Sequence, residues 1–333
     1  MNRKQGARPL GANPSSAQPL DVDGVVELAV LERSGMIESR HLGAAAVVGP
    51  DGSVLRSLGD IEALVYPRSS LKPLQAIAVL RAKVDLDGEQ LVLATASHAG
   101  TAEHQRVARE LLDLAQLPED ALHCPADWPS DRAAAERATG KRKLAMNCSG
   151  KHAAFLLACV QNGWSIDDYL DPLHPVQRLI RSTIEEFTGA PVGHFATDGC
   201  GAPLYATSLR GLATAFSRVG LGADPLTARL CAAIRKHPWA IDGIGRPNTV
   251  VIDELGLIAK GGAEGVIAMA ATAGTSVAVK ILDGSARATT LVALELLAQA
   301  GAIETADAQR VTLLTTERVL GGGEPVGELR AAF

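Results

Sequence analysis

The sequence predicts a mixed α/β fold in which strands from both ends of the chain form one antiparallel sheet, with a helical lobe inserted between them. Three observations support this. Strand patterns lie near the start, helical patterns fill the middle, and strand patterns return after Asn248. The order of these segments predicts a single two-lobed domain over residues 23–333, with the helical lobe at roughly 101–245.

Composition limits the class of protein. Hydrophobic residues make up 47% of the 333 residues and charged residues 21%, which is ordinary for a globular protein. The net charge is −5 and no basic stripe with interleaved aromatics occurs, so nucleic acid is not an expected partner. The uncharged run 265–279 is too short to span a membrane, so no membrane association is expected.

The start of the chain and the cysteines predict the location of the protein. Residues 1–22 are rich in Pro, Gly, Ser and Gln and are predicted to form a disordered tail. No apolar stretch follows the basic residues of this tail, so it is not a secretory signal. The five scattered cysteines are expected to be thiols. We therefore expect a soluble, cytoplasmic protein.

The first strands surround a clear turn signal. Residues 25–30 predict a strand, and 44–48 with 53–58 predict a hairpin around Pro-Asp-Gly at 50–52. Residues 70–82 then show a helical pattern in which Pro73 is tolerable only within the first turn.

The rest of the chain gives one more candidate strand, several helices and a final group of strands. The apolar run 90–96 is interpreted as a buried strand, and Gly163 and Gly189 stand where helix C-caps are expected. Predicted helices are 103–115, 151–160, 175–187, 207–219, 226–237 and 290–300. Predicted strands are 249–253, 257–259 and 277–282, and a flexible loop is predicted at 321–323.

The first chemical signal is Ser-Ser-Leu-Lys at 69–72. Residues three apart share a helix face, so the Ser69 hydroxyl and the Lys72 amine can meet at a helix N-terminus. A lysine that acts as a base must be unprotonated, and lowering its pKa to near 7 requires roughly 4–5 kcal/mol from burial or a second cation. Ser-x-x-Lys alone is common by chance, so it needs support from elsewhere.

That support comes from two further motifs. Ser97-His98 follows the apolar run at 90–96, and Lys260 is followed by two glycines after an apolar segment, where a ligand can approach the backbone closely. Ser-x-x-Lys, a serine motif and Lys-Gly-Gly occur in this order in penicillin-recognising enzymes and serine β-lactamases, which the chain resembles in architecture. The middle motif here is Ser-His-Ala, so the resemblance suggests acyl transfer without fixing the substrate.

Two cysteines suggest a metal. Cys148 and Cys200 each lie in a glycine-containing turn that precedes a helix, and together they could hold a soft metal ion. Ligand chemistry favours His152 as the third ligand, because a lysine must lose a proton before it coordinates. Two turns that carry unmetallated thiols remain the alternative.

Together these motifs resemble the Rhizobium etli-type asparaginases, the type 3 or asparaginase II family. The matching segments cover most of the chain from about Val25 onward, in family order. They are 66–76 (Tyr-Pro-Arg-Ser-Ser-Leu-Lys-Pro-Leu-Gln-Ala), 96–100 (Ala-Ser-His-Ala-Gly), 146–152 (Met-Asn-Cys-Ser-Gly-Lys-His), 197–200 (Thr-Asp-Gly-Cys), 236–238 (Lys-His-Pro) and 257–265 (Leu-Ile-Ala-Lys-Gly-Gly-Ala-Glu-Gly).

The resemblance implies hydrolysis of L-asparagine to L-aspartate and ammonia on a serine β-lactamase-like fold, by a homodimer with one zinc ion per chain. It implies two Ser–Lys pairs, Ser69 with Lys72 and Ser97 with Lys260. It implies Cys148, Lys151 and Cys200 as zinc ligands, in place of the choice of His152 that ligand chemistry favours. It implies Arg68, His152 and Asp198 as residues that hold the substrate or order the site.

The mechanism expected from these residues is nucleophilic catalysis. Ser69 is expected to attack with Lys72 as its base, while Ser97 and Lys260 relay protons to the leaving ammonia and then activate water. The roles of the two serines could be exchanged. A broader amidase or glutaminase of the same fold, and a non-catalytic zinc- or amino-acid-binding homologue, are the alternatives. Residues 246–249 (Arg-Pro-Asn-Thr) stand where related sequences often carry an acidic residue, which leaves substrate preference open.

Overall fold

A computed structural model describes residues 18–333 of the chain. Its strands are β1 Val26–Arg33, β2 Met36–Val48, β3 Val54–Leu58, β4 Leu64–Val65, β5 Phe195–Thr197, β6 Pro203–Tyr205, β7 Thr207–Ser208, β8 Ile258–Gly262, β9 Val266–Ala270, β10 Ser276–Ile281, β11 Val319–Gly321 and β12 Glu324–Ala331. Its α-helices are α1 Lys72–Arg81, α2 Gly88–Ala94, α3 Ala102–Leu114, α4 Arg132–Arg137, α5 Ser149–Asn162, α6 Pro175–Thr188, α7 Leu209–Leu221, α8 Pro225–Lys236, α9 Pro247–Leu255, α10 Thr289–Gln299 and α11 Thr305–Thr315.

The main sheet is antiparallel and is built from both ends of the chain. Its strand order is β11-β12-β1-β2-β10-β9-β8, and β3 also pairs with β2. The first and last long strands are neighbours, with Ala29 opposite Ala331. Helices α1 to α9 lie between β4 and β8 in the chain. The predicted mixed α/β class, with an antiparallel sheet from both termini and helices inserted between its parts, is confirmed.

The sheet is covered on both faces at its centre. Five of the six residues of β10 are buried, although successive side chains of a strand point to opposite faces. Helices α7 and α10 both pack against this strand. The Ser276 hydroxyl donates to the Ala213 carbonyl of α7 over 2.7 Å, which satisfies a polar group in this interior.

Glycine and proline mark several helix ends as expected. Gly163 and Gly189 adopt left-handed φ angles of 67° and 73° at the ends of α5 and α6, so both predicted C-caps are confirmed. Pro73 lies in the first turn of α1, where its missing N–H would have no helical partner.

Three local predictions are wrong. The run 90–96, predicted as a strand, is mostly helix α2, which Asp87 caps through the N–H of Gly88. Residues 249–253, also predicted as a strand, lie in α9, which starts at Pro247. The predicted flexible loop at 321–323 is the tight connection between β11 and β12, which pair with each other. Short apolar runs do not distinguish a strand from a buried helix by periodicity, and here the tertiary setting decides.

The predicted disordered tail covers residues 1–22, of which 1–17 lie outside the described residues. Within the rest, Pro19 forms a bridge with Leu64, and the Leu20 N–H donates to the Leu64 carbonyl over 3.1 Å. Within residues 18–333, no helix combines the length and the apolar character needed to cross a membrane.

Candidate active site

The first serine motif forms a tight turn immediately before α1. Residues Arg68–Leu71 form a 3-10 turn, and Arg68 takes a left-handed φ of 54°. Ser69 is half-buried in this turn. A Cβ atom on Gly262 would lie 2.3 Å from the Pro67 carbonyl oxygen, so only glycine lets the end of β8 approach the serine turn this closely.

Two lysine amines meet on one serine hydroxyl. The Nζ atoms of Lys72 and Lys260 each lie 3.0 Å from Ser97 Oγ. Lys72 also donates to the Ala96 carbonyl, and Lys260 donates to the Gly261 carbonyl over 2.7 Å. Both lysine side chains are fully buried. Three of the four predicted catalytic residues therefore form one cluster, in which both lysines contact Ser97.

The pairing differs from the expected one. Among the described residues, no hydrogen bond joins the Ser69 hydroxyl to the Lys72 amine, which instead binds Ser97; only the Lys72 backbone N–H donates to the Ser69 carbonyl. The i,i+3 spacing brings the two residues to one end of α1, but the Ala96 carbonyl and the Ser97 hydroxyl provide the buried lysine with oxygen acceptors that lie together.

The charge state of Lys260 follows from its surroundings. Burial, and then the neighbouring Lys72, lower the pKa of Lys260 to about 7, while Asp242 and Cys148 oppose this shift. A lysine with such a pKa is partly neutral near neutral pH, so it can accept a proton as well as donate one.

Backbone contacts fix Ser97 and the residue that follows it. The Ser97 N–H donates to the Ile241 carbonyl over 3.0 Å, and the His98 N–H donates to the Asn147 carbonyl over 3.1 Å. His98 Nε2 lies 2.9 Å from Ser149 Oγ, and His98 Nδ1 accepts the Gly100 N–H. Burial holds the pKa of His98 well below its ordinary value. A neutral His98 therefore joins the Ser97 loop to the start of α5.

The two metal-candidate cysteines and Lys151 form a second cluster. Lys151 Nζ lies 3.1 Å from Cys200 Sγ, and Lys72 Nζ lies 3.1 Å from Cys148 Sγ. The neighbouring Cys148 thiol lowers the pKa of Cys200, while Cys200 and burial raise the pKa of Cys148. Burial disfavours the Lys151 ammonium, but the adjacent Cys200 and Cys148 raise its pKa overall.

His152 lies beside this cluster with one ring nitrogen uncommitted. Its Nδ1 is 2.7 Å from the Tyr169 hydroxyl, and its buried Nε2 has no hydrogen-bond partner among the described residues. Burial lowers the pKa of His152, while contact with Cys200 opposes this. Within residues 18–333, no three His, Cys, Asp or Glu side chains are arranged to hold a metal ion. A metal at the two thiols would need a further donor, such as the Lys151 amine that lies 3.1 Å from Cys200 Sγ.

Arg68 and Asp198 connect the serine turn to the loop that carries Cys200. Arg68 Nε donates to Asp198 Oδ1 over 2.7 Å. The two side chains are 24% and 11% exposed, so both retain access to solvent. The structure thus brings together a cation, a carboxylate and a serine at one surface.

Comparison with known proteins identifies the family. Residues 29–331 match the profile described as L-asparaginase II. The chain belongs to the L-asparaginase II family. Its members are amidohydrolases, and this chain is accordingly an enzyme that acts on a small-molecule substrate. No curated protein sequence matches it.

Two solved structures are similar to this L-asparaginase II family member at low identity. A β-lactamase from Mycobacterium bovis shares 17% identity at a TM-score of 0.44, over 78% of this chain and 95% of that one. A Bacillus glutaminase shares 10% identity at a TM-score of 0.39, over 78% of this chain and 91% of that one. At such TM-scores the likeness decides nothing about the substrate.

The sequence did not single out two residues next to this site. Asp242 is 8% exposed and accepts from Asn248 Nδ2 over 2.9 Å. Asn248 Oδ1 in turn accepts the Gly261 N–H over 2.8 Å. Asn248 lies in the segment 246–249, where the resemblance leads one to expect an acidic residue, and this was the only signal available for it.

Proposed function

We propose that the protein is an L-asparaginase, which hydrolyses L-asparagine to L-aspartate and ammonia with serine–lysine catalysis. Membership of the L-asparaginase II family supports amide hydrolysis. The observation that carries the mechanism is the contact of both lysine amines with Ser97 Oγ at 3.0 Å. This arrangement gives one hydroxyl two amines with which to exchange protons.

In the first half-reaction, Ser69 Oγ forms a bond to the side-chain amide carbon of the substrate. Its proton moves to Lys72, and through Ser97 a proton reaches the amide nitrogen. The C–N bond then breaks and ammonia leaves, so that Ser69 carries an aspartyl ester. Ser69 suits this role because it is half-buried and lies at the N-terminal end of α1, where the helix dipole favours developing negative charge.

In the second half-reaction, water attacks the ester carbon. Lys260 accepts a proton from that water through Ser97, because its pKa of about 7 leaves it partly neutral. The ester C–O bond breaks, Ser69 recovers a proton, and aspartate is released. The same proton path therefore serves both halves of the reaction.

The substrate head group has one negative and one positive charge. Arg68 matches the carboxylate and Asp198 matches the ammonium, and their mutual ion pair of 2.7 Å keeps both charges in place. His152 completes this side of the site through its unpartnered Nε2.

We propose that Cys148, Lys151 and Cys200 hold one zinc ion per chain, a donor set of two soft thiolates and an amine that suits zinc. Bound there, zinc would supply a positive charge beside Lys72 and link α5 to the Cys200 loop. The fit is supported by the 3.1 Å contact of Lys151 with Cys200 and by the unpartnered His152 Nε2 close by, which is the alternative third ligand.

Ammonia release from asparagine, glutamine and a β-lactam by purified protein tests the function. We expect asparagine to be hydrolysed fastest. Glutamine differs by one methylene, which is worth only about 1–3 kcal/mol in binding, so a slower glutaminase reaction is compatible. Equal or faster glutamine hydrolysis would make the enzyme a broader amidase, and no release from any amide would favour a non-catalytic binding homologue.

Trapping the acyl-enzyme assigns the two serines. Rapid acid quenching followed by peptide mass mapping should place the aspartyl ester on Ser69. Ser69→Ala should abolish the ester, and Ser97→Ala should slow its formation. Ser70→Ala is the matched control, because the Ser70 hydroxyl donates only to the Pro67 carbonyl, over 2.7 Å. An ester found on Ser97 would exchange the two roles.

We further propose that the enzyme is a cytoplasmic homodimer. The family resemblance supports the dimer, and the five buried cysteines, all of them free thiols, support the location because thiols persist in a reducing compartment. Sedimentation of the purified protein at micromolar concentration checks the first, and fractionation of the source cells checks the second.

A further inference from the structure

One turn contacts the serine of the proton path and the glycine that follows its lysine. Residues 241–248, here called the bracing turn, connect the 3-10 helix Pro238–Ile241 to the start of α9. At one end, the Ile241 carbonyl accepts the Ser97 N–H over 3.0 Å. At the other end, Asn248 Oδ1 accepts the Gly261 N–H, which belongs to the Lys260-Gly261 peptide, over 2.8 Å. The Gly261 carbonyl in turn accepts from the Lys260 amine, so the turn reaches the catalytic lysine through one residue.

The Asn248 amide has both of its polar ends committed. Its oxygen binds Gly261 and its nitrogen donates to Asp242 Oδ2 over 2.9 Å. Asn248 and Asp242 are each only 8% exposed. An amide is the side chain that fits here, because it accepts from a backbone N–H and donates to a carboxylate at the same time.

Asp242 is itself held from the other side. Arg246 Nη1 lies 3.7 Å from Asp242 Oδ1, and Arg246 Nη2 donates to the Ser130 carbonyl and hydroxyl over 2.9 Å each. The carboxylate therefore lies between the Asn248 amide on one side and the Arg246 guanidinium on the other.

Asp242 also contributes to the charge around Lys260. The groups that act on Lys260 are Lys72 from α1, Cys148 at the start of α5 and Asp242 from the bracing turn. Lys72 disfavours the Lys260 ammonium, and Asp242 favours it. Arg68 lies in the serine turn that packs against β8, where Asp198 pairs with it.

We infer that Asn248 is a positioning residue that holds Lys260 at hydrogen-bond distance from Ser97, and that Asp242 fixes the Asn248 amide in the orientation this needs. The inference deepens the proposed function and rests on it. Neither residue contacts the reacting atoms. Both act through the Lys260-Gly261 peptide.

Removing the Asn248 amide tests the positioning role. Asn248→Ala leaves the Gly261 N–H without its acceptor, so hydrogen exchange at the Gly261 amide should become faster by at least tenfold. Turnover should fall by about 10–100-fold with KM changed much less, because small misplacements of a reacting group are costly. Asn162→Ala is the control, since Asn162 also makes two amide hydrogen bonds, to the Ala82 and Ala158 carbonyls at the far end of α5.

Two changes at Asp242 test its hold on the Asn248 amide. Asp242→Ala removes the acceptor of Asn248 Nδ2, so Gly261 exchange should become faster than in the parent and turnover should fall, both by less than in Asn248→Ala. Asp242→Asn keeps a side-chain oxygen that can accept from Asn248. Its Gly261 exchange should stay within about twofold of the parent, which also guards against a variant that merely unfolds.

The outcomes separate this inference from the proposed function. If the parent protein releases no ammonia from asparagine or glutamine, the proposed function fails. Hydrogen exchange at the Gly261 amide would still measure its contact with Asn248 in the bracing turn. If Asn248→Ala keeps parental exchange at Gly261 and turnover within twofold, the positioning role is overturned. Parental Gly261 exchange and turnover in Asp242→Ala would overturn the role of Asp242.

Discussion

Lys260 and Lys151 are both fully buried, yet their surroundings have opposite effects on them. Burial and the nearby Lys72 lower the pKa of Lys260 to about 7. Lys151 suffers the same burial, but contact with Cys200 and Cys148 outweighs it and raises the pKa. The difference shows that burial alone does not make a base. The charge of the nearest neighbours decides whether a buried lysine exchanges protons or stays charged.

The largest expected effect comes from replacing a lysine of the Ser97 cluster. Lys72→Arg should reduce turnover by about 10³-fold or more, because arginine does not give up its proton and general-base catalysis is worth about 10²–10⁴-fold. Initial rates of ammonia release and a thermal melt check this. Turnover within a few-fold of the parent, at an unchanged melting temperature, would remove Lys72 from the mechanism.

The second test compares the zinc content of the protein after substitutions in the thiol cluster and in the Ser97 cluster. Purified protein should contain close to one zinc per chain by elemental analysis, and Cys148→Ser or Cys200→Ser should lose it, since each removes a thiolate donor. Lys260→Met, which leaves the thiols in place, should keep the metal. If Lys151→Ala retains zinc and His152→Ala loses it, the third ligand is His152. Zinc-free protein after expression in zinc-supplemented medium would contradict the site.

A third test is the pH profile. Because Lys260 must be neutral to accept a proton, activity should rise about tenfold per unit below pH 7 and level off above the pKa of about 7. Initial rates from pH 5 to 9 with saturating asparagine measure this. A maximum below about pH 6 would mean that a lysine base is not limiting.

The smallest effect concerns stability, and its sign should differ between the two lysines. The pKa of Lys260 falls from 10.5 to about 7 on folding, so between these pH values the unfolded chain binds more protons. Its destabilising effect is therefore complete below about pH 7 and disappears as the pH rises to 10.5.

Lys260→Met should accordingly raise the unfolding free energy at pH 7 by about 1–4 kcal/mol, and the gain should shrink toward pH 10. Lys151→Met should instead destabilise metal-free protein, because it leaves a buried thiolate without its cation. Chemical denaturation at pH 7 and pH 10 measures both. Equal effects of the two substitutions would show that their surroundings do not differ as described.

The fold was predictable where local sequence signals for turns and helix caps agree with the tertiary structure. The Pro-Asp-Gly turn at 50–52 and the caps at Gly163 and Gly189 are local chemistry, and each prediction held. The helix α9 had a local signal that was missed, namely Pro247 at its start and a left-handed Gly256 at its end. Its β-branched residues favoured a strand instead.

The site was predictable by residue type but not by connectivity. The motifs identified Lys72, Ser97 and Lys260, since their chemistry is unusual in such surroundings. The Lys72 amine contacts Ser97 and not Ser69 as expected. This contact depends on where the Ala96 carbonyl lies after folding, and the sequence does not specify that position. Asp242 is not part of a recognisable motif. A carboxylate that acts through a hydrogen bond to one side chain, here Asn248, needs no particular residue type next to it in the sequence.

The pairing of β1 with β12 has a consequence for how this chain reaches its native state. Ala29 and Ala331 are partners in the sheet although about 300 residues separate them. Closing so long a loop is entropically unfavourable, and folds dominated by distant pairings form slowly. During synthesis, the backbone N–H and C=O groups on the edge of β1 that pairs with β12 stay unpaired until residues 324–331 have left the ribosome. Until then, β1 of the nascent chain is exposed to strand-to-strand association with other chains.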